Sequence, residues 1–124
     1  MSQTSSSVVF VCPHGAGMSR LAAAFFNQAA PPGWHATSAG LEPAAAVNPV
    51  AASLVTGSPT ETYFDQSPPR ALDEVEAVRT VAINCAVPGA ERWHLATTAI
   101  GEPMCEELRS RAEHLATELT DARP

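Results

Sequence analysis

The sequence has 124 residues, enough for one domain with a hydrophobic core and too few for two of ordinary size, so residues 1–124 are expected to form a single domain. Its formal net charge is −6, and all seven basic residues are arginines spread along the chain, which argues against nucleic acid as a partner. The apolar fraction is 45%, but no apolar run approaches the length of about 18 residues that a membrane span needs. Residues 1–7 also lack the basic flank of a signal peptide. We therefore expect a cytoplasmic protein with no membrane association.

The first part of the chain has the pattern of a strand, a turn and a helix. Ser6 to Val11 is a short apolar run typical of a buried central strand, which is predicted to end at Cys12. A turn over residues 13–17 follows, and helix formers with apolar residues on one face then extend from Ser19 to Ala30. The Pro-Pro-Gly sequence at residues 31–33 ends this helix.

The middle of the chain continues the alternation of strands and helices. Residues 34–38 are predicted to form a second strand closed by Gly40. Asn48 and Pro49 then supply an N-cap and a first-turn proline for a helix to about Thr56. Residues 69–77 have a helical and acidic pattern, which predicts another helix.

The last part of the chain completes a parallel sheet. Residues 80–84 are predicted to form a third buried strand ending at Cys85, residues 92–95 a weaker fourth strand, and residues 104–119 a final amphipathic helix. Alternating strands and helices indicate the α/β class, as three α/β/α layers with a four-stranded parallel sheet. Because ligands bind such sheets where strand order reverses, at the carboxyl ends of strands, Cys12 is placed at the expected site.

The three cysteines are candidates for thiol chemistry. Cys12, Cys85 and Cys105 are an odd count without the close pairs of zinc sites or disulfide frameworks, so we predict no metal site. Cys12 would lie among unpaired N–H groups at the positive end of a helix, which favours a thiolate and binds anions. The alternative is a buried structural cysteine at the end of a core strand.

Two polar neighbours of Cys12 have open roles. Ser19 is expected to cap the helix, and its hydroxyl is also able to donate to the Cys12 sulfur. His14 either approaches an oxyanion or is simply an exposed loop residue.

Residues 9–23 resemble the loop of the low-molecular-weight protein tyrosine phosphatase and arsenate reductase family, in its reductase form Val-Cys-x-His-Asn-Ala-Gly-Arg-Ser. The residues that fix the register are Cys12, His14, Ala16, Gly17 and Ser19. Residues 38–49 and 88–94 are similar to two further stretches of the family, so the resemblance extends from about residue 8 to residue 120.

The resemblance implies a role for each loop residue. Cys12 would be the thiolate nucleophile, Ser19 would support the thiolate, and Glu102, which precedes a proline, is the nearest match to the family's acid. The oxyanion would be bound by the loop itself, namely by Pro13, His14, Gly15, Ala16, Gly17 and Met18.

The loop departs from the family pattern at two positions, which makes this chain a divergent member. Gly15 stands where the family has a bracing Asn, and Met18 stands where it has the Arg that clamps the anion. Arg20 lies two positions later, about 200° further around the helix, so it should point away from the pocket. Arg20→Ala should therefore leave the barely detectable hydrolysis of a simple aryl phosphate unchanged.

Two functions are compatible with these residues. The first is an oxyanion enzyme that uses Cys12, either an arsenate reductase completed by an external small thiol or redoxin, without a bound cofactor, or a weak phosphatase. The second is a repurposed fold, either a ligand-binding or regulatory protein or an enzyme that acts through Cys12 on a less charged small molecule. An internal relay through Cys85 is not favoured, and Cys105 is expected to be inert despite its place near a helix start.

Overall fold

The computed structural model describes residues 6–121, and the expectation about a signal peptide falls largely on residues outside this range. The described residues form four strands and three α-helices, which alternate except that the fourth strand follows the third directly. Two 3₁₀ turns lie between the second helix and the third strand. The strands are β1 (Ser6–Cys12), β2 (Trp34–Gly40), β3 (Arg79–Ile83) and β4 (Glu91–Trp93). The helices are α1 (Met18–Ala29), α2 (Pro49–Val55) and α3 (Glu102–Asp121), and the 3₁₀ turns are Pro59–Tyr63 and Leu72–Glu74.

All four strands are parallel, in the order β2-β1-β3-β4, so the predicted α/β class and four-stranded parallel sheet are confirmed. Cys12 pairs with Gly40 of β2, and Val11 pairs with Ala82 of β3. The chain leaves β1 toward β2 on one side and later returns to β3 on the other, so the strand order reverses at β1. Cys12, the last residue of β1, is therefore at the predicted ligand-binding edge.

Strand β1 is buried on both of its faces, which explains its unbroken apolar sequence. Val8, Phe10 and Cys12 belong to the larger core, which includes the apolar faces of α1 and α3. The Phe10 ring lies 6.0 Å from the Phe26 ring and 5.3 Å from the Trp93 ring, measured between centroids. Val9 and Val11 point to the opposite face and form a smaller cluster there.

The predicted helix ends agree with the structure where a cap or a proline marks them. The Asn48 side chain accepts a hydrogen bond from the Val50 amide at 2.9 Å, and Pro49 is the first residue of α2, as predicted. Helix α3 begins two residues earlier than predicted, because Pro103 is accommodated in its first turn. No helix within residues 6–121 is long and apolar enough to cross a membrane.

The helix predicted over residues 69–77 is wrong. Only the 3₁₀ turn Leu72–Glu74 forms there, and Ala71 instead makes an isolated parallel bridge with Gly40. Beside it the Arg70 side chain donates to the Ser38 carbonyl at 3.0 Å. These bonds to β2 favour an extended path over local helix propensity, so the smaller cluster is covered by an irregular segment.

Two glycines allow the turn after β1 to lie directly against the end of β2. A Cβ on Gly40 would lie 2.5 Å from the His14 carbonyl carbon and 2.6 Å from the Gly15 nitrogen, both of which are backbone atoms. Gly15 has a φ of 65°, and a Cβ there would lie 2.7 Å from the Gly40 nitrogen. The turn and the strand end can pack this closely because neither glycine has a side chain.

We expect Gly40→Ala to lower the free energy of unfolding by about 2–3 kcal/mol, because the added methyl group must displace backbone. Gly101→Ala is the matched control, since the nearest atom to its Cβ is 4.0 Å away. Urea denaturation of both variants measures the difference. Equal midpoints for the two would show that the turn moves away from β2 without cost.

Candidate active site

Residues 12–18 join β1 to α1 and form the Cys12 loop. Four of its carbonyl groups face the segment that follows β2. The carbonyls of residues 12, 13, 14 and 16 accept hydrogen bonds from the backbone amides of residues 41, 42, 44 and 48, at 2.8 to 3.2 Å. The Gly17 carbonyl accepts from the Leu21 amide at 3.0 Å within the first turn that follows. The segment after β2 therefore supports the loop along almost its whole length.

The amides of the loop are left on the inner side. The Gly15 amide donates to the Cys12 sulfur at 3.2 Å. Within residues 6–121, the amides of His14, Ala16 and Gly17 have no acceptor. Together with the N-terminus of α1, such a group of unpaired N–H donors is a binding site for an anion.

Ser19 bonds to the sulfur instead of capping the helix. Cys12 Sγ and Ser19 Oγ are 3.2 Å apart, and both residues are buried. The N-cap of α1 is Gly17, and no side-chain hydrogen bond caps this helix, so the predicted capping role of Ser19 is wrong. In the thiol form Cys12 donates to the hydroxyl, and in the thiolate form the Ser19 hydroxyl can donate to the sulfur.

Cys12 lies at a cavity of about 510 Å³. The residues around it belong to the Cys12 loop, to the segment that leads into α2, and to the segment before α3 together with the first turn of α3. They are Cys12, Pro13, His14, Ala16, Gly17, Met18, Ala44, Ala46, Val47, Asn48, Pro49, Thr98, Ile100 and Met104. Apart from Cys12, His14 is the only ionisable side chain among these lining residues.

The loop residues predicted to bind a ligand differ in their positions. Pro13, His14, Ala16, Gly17 and Met18 line the cavity, whereas Gly15 is buried behind it. The Met18 sulfur accepts from the Asn84 side-chain amide at 3.6 Å. His14 is exposed, and its Nδ1 lies 3.1 Å from the Glu42 carbonyl oxygen. Because a carbonyl oxygen only accepts hydrogen bonds, Nδ1 is the donor, and Nε2 takes no part in this bond.

Glu102 is not brought to the cavity. It is exposed in the first turn of α3, while Met104 of the same turn is buried and lines the cavity wall. Among the described residues no carboxylate lines the cavity. The role of Glu102 as an acid is thus without geometric support.

The other two cysteines have different surroundings from Cys12. Cys85 packs on the smaller cluster, on the opposite face of the sheet from Cys12, and its thiol donates to the Val11 carbonyl at 3.6 Å. Burial, followed by the negative charge of Cys12, raises the pKa of Cys85. Burial, followed by the charge of Glu106, raises the pKa of Cys105, so its place in the first turn of α3 does not activate it.

Several site residues were missed in the sequence. Val47, Ile100 and Met104 form the apolar wall of the cavity, but in the sequence they are indistinguishable from core residues. Within residues 6–121, no group of three or more metal-ligating side chains comes together.

Comparison with known proteins identifies similar folds. No protein-family model and no curated protein sequence matches the chain. An arsenate reductase structure from Archaeoglobus fulgidus is 29% identical, with a TM-score of 0.71 over 89% of this chain and 98% of that chain. A thioredoxin-dependent arsenate reductase from Corynebacterium glutamicum is 23% identical, with a TM-score of 0.78 over 99% of this chain and 66% of that chain. A low-molecular-weight protein tyrosine phosphatase from T. tengcongensis is 18% identical, with a TM-score of 0.64 over 96% of this chain and 100% of that chain.

Proposed function

Because the chain belongs by its fold to the family of low-molecular-weight protein tyrosine phosphatases and arsenate reductases, we propose that it is a thiol enzyme that attacks a small oxyanion through Cys12. The observation that supports this most is the environment of the sulfur. The Gly15 amide and the Ser19 hydroxyl each lie 3.2 Å from Cys12 Sγ, at the edge of a cavity that faces the unpaired loop amides. Donors on a sulfur stabilise its thiolate, which is the nucleophilic form.

Among oxyanion reactions we propose arsenate reduction, because the loop sequence at residues 14–17 resembles the reductase form of the family. The Cys12 thiolate attacks arsenic(V), an S–As bond forms, and a protonated arsenate oxygen leaves as water. An external thiolate then attacks the Cys12 sulfur, an S–S bond forms, and the S–As electron pair leaves with arsenic, which is thereby reduced to arsenite. A second external thiol releases Cys12 from the mixed disulfide, so two thiols are oxidised for each arsenic reduced.

The position of Cys85 supports an external thiol as the resolving group. Cys12 and Cys85 lie on opposite faces of the sheet, with the Val11 backbone beside Cys85. A disulfide needs Cβ atoms about 3.8 Å apart that point toward each other. A small thiol or a redoxin is therefore the proposed partner, and one structural neighbour is itself thioredoxin-dependent.

A second candidate function follows from the apolar lining of the cavity. Met18 occupies the place of the family's clamping Arg, and Val47, Ile100 and Met104 complete the wall. Such a cavity favours a less charged molecule over a dianion. In this case Cys12 would react with, or simply contact, a small molecule with an apolar part, and the protein would be a repurposed enzyme or a ligand-binding or regulatory protein.

Alkylation by iodoacetamide distinguishes the two functions. At neutral pH we expect Cys12 to react at least about tenfold faster than Cys85 and Cys105, because burial raises the pKa of both of the latter thiols. Tungstate, an oxyanion with the shape of arsenate, should slow the reaction of Cys12 alone. Mass spectrometry of the labelled peptides measures all three rates in one sample, so that Cys85 and Cys105 are internal controls.

Either of two results would contradict the proposal. Equal labelling of the three cysteines would remove Cys12 as a nucleophile. Fast labelling of Cys12 that tungstate does not slow would favour the second candidate, because the loop would then hold a reactive thiol without binding an oxyanion.

A further inference from the structure

Arg20 is a buried cation that the proposed reaction does not use. It is only 1% exposed and is the largest of the fully buried side chains. Its Nε donates to the Gly15 carbonyl at 2.8 Å, and its Nη1 donates to the Asp65 carbonyl at 2.6 Å. Within the described residues, Nη2 is buried without a hydrogen-bond partner. A guanidinium placed in this way is costly, so its position calls for a reason beyond packing.

Within residues 6–121, the guanidinium of Arg20 makes a single, long ion pair. Its partner is the carboxylate of Asp65, which has Oδ1 4.0 Å from Arg20 Nη1 and is 45% exposed. The Asp65 carboxylate also accepts hydrogen bonds from Ser67 and Arg70. Burial opposes its ionisation, but these bonds lower the pKa of Asp65 to about 2. Arg20 thus has only a long ion pair with Asp65, whereas its Nε bonds directly to the Cys12 loop.

One residue, Gly15, connects Arg20 with the reactive sulfur through its two neighbouring peptide groups. Gly15 accepts from Arg20 through its carbonyl and donates to Cys12 Sγ through its amide. An acceptor bond to a charged donor polarises the loop backbone and fixes its orientation. The positive φ of Gly15, 65°, gives the loop the turn that this arrangement needs.

The charges also interact directly. Burial lowers the pKa of Arg20, and the negative charges of Asp65 and of Cys12 oppose that effect. An arginine stays protonated under such conditions. The guanidinium and a negative charge on the Cys12 sulfur therefore attract each other across the loop.

We propose that Arg20 is the positioning residue of the Cys12 loop: from behind the loop it holds the Gly15 amide on the Cys12 sulfur and supplies the positive charge that favours the thiolate. In this chain it takes over the bracing that the resemblance assigns to an Asn at position 15. Arg20 does not line the cavity, so it does not touch the substrate, which agrees with the direction predicted from the helix. The expectation that Arg20→Ala leaves aryl phosphate hydrolysis unchanged is replaced by this proposal, which rests on the proposed role of Cys12.

The test is the pH dependence of Cys12 alkylation in the full-length protein. Arg20→Gln removes the charge, Arg20→Lys keeps it, and Arg70→Gln is the matched control, because Arg70 bonds to Asp65 but not to the Cys12 loop. We expect Arg20→Gln to slow iodoacetamide labelling about tenfold at pH 6 and by less as the pH rises. Arg20→Lys should stay within about threefold of the wild type, and Arg70→Gln within about twofold.

The other ionisable groups near the Cys12 sulfur are the same in the wild type and in the three arginine variants. His14 lines the cavity, Cys85 interacts with Cys12, and Asp65 lies beside Arg20, so each variant is compared with the wild type at the same pH. If Arg20 had only a structural role, the two substitutions would change the melting temperature. The rates of Cys12 alkylation would then be the same in Arg20→Gln and Arg20→Lys.

A folded Arg20→Gln protein whose profile overlays that of the wild type would overturn the proposal. If Arg20→Gln does not fold, Asp65→Asn provides the test. Removing the Asp65 carboxylate leaves the charge of Arg20 less opposed, so Cys12 labelling at pH 6 should become about two- to threefold faster. An unchanged labelling rate in Asp65→Asn would overturn the proposal. Failure of the proposed function is distinct, because the wild-type Cys12 would then react no faster than Cys85 and Cys105.

Discussion

Replacing Cys12 with serine is expected to lower arsenate-dependent oxidation of a small thiol by at least about a thousandfold. The hydroxyl of serine forms no anion near neutral pH unless a general base takes its proton. Among the residues lining the cavity, His14 is the only candidate base, and it is an exposed loop residue. Oxidation of a dithiol reagent after addition of arsenate measures the turnover.

The matched control is Cys85→Ser, which we expect to keep the activity within about twofold. The Cys85 side chain packs on the other face of the sheet and has a thiol whose pKa is raised, so it is poorly placed to resolve a Cys12 adduct. Loss of activity in both variants, together with a Cys12–Cys85 disulfide in the oxidised protein, would contradict the external-thiol route. Absence of arsenate-dependent turnover in the wild type with any small thiol would favour the second candidate function.

Met18→Arg is expected to raise hydrolysis of a simple aryl phosphate about a hundredfold or more from a barely detectable wild-type rate. Met18 lines the cavity at the first residue of α1, beside the unpaired amides of the loop. An arginine there would add a two-pronged, charged donor where the negative charge of the phosphoryl group concentrates. Release of the aryl alcohol, followed by absorbance, measures the rate.

Two further variants separate charge from shape at this position. Met18→Leu should leave the rate unchanged, and Met18→Lys should raise it less than arginine does, because an ammonium group lacks the planar fork. A folded Met18→Arg protein with no gain would show that the loop amides do not bind the phosphoryl group in this chain. Strong wild-type turnover would show that the loop binds the phosphoryl group without an arginine at position 18.

The parts of the fold with strong local signals could be predicted from the sequence. The apolar run before Cys12 and the turn that follows it defined β1 and the start of α1 within one residue. Asn48 and Pro49 marked the start of α2, because a cap and a first-turn proline act through the neighbouring backbone alone. The place of Cys12 at the reversal of strand order followed from the alternation of strands and helices.

The parts that failed depend on contacts between distant residues. The composition of residues 69–77 favours a helix, but bonds from Arg70 and Ala71 to β2 hold the segment extended. Ser19 had two possible partners, and only the position of the loop shows that its hydroxyl bonds to the sulfur. The surroundings of Arg20 include Asp65, which is 45 residues away in the sequence, so helix periodicity alone gave its direction but not its burial.

The close contact between the Cys12 loop and β2 also restricts how this sequence can evolve. A side chain at position 15 would meet the backbone of Gly40, and a side chain at position 40 would meet the backbone of residues 14 and 15. Neither position can gain a Cβ unless the strand end moves, and that movement would disturb the pairing of Cys12 with Gly40. A single change of Gly15 to the asparagine of the resembled family is therefore expected to destabilise this fold, unless changes elsewhere first shift the end of β2.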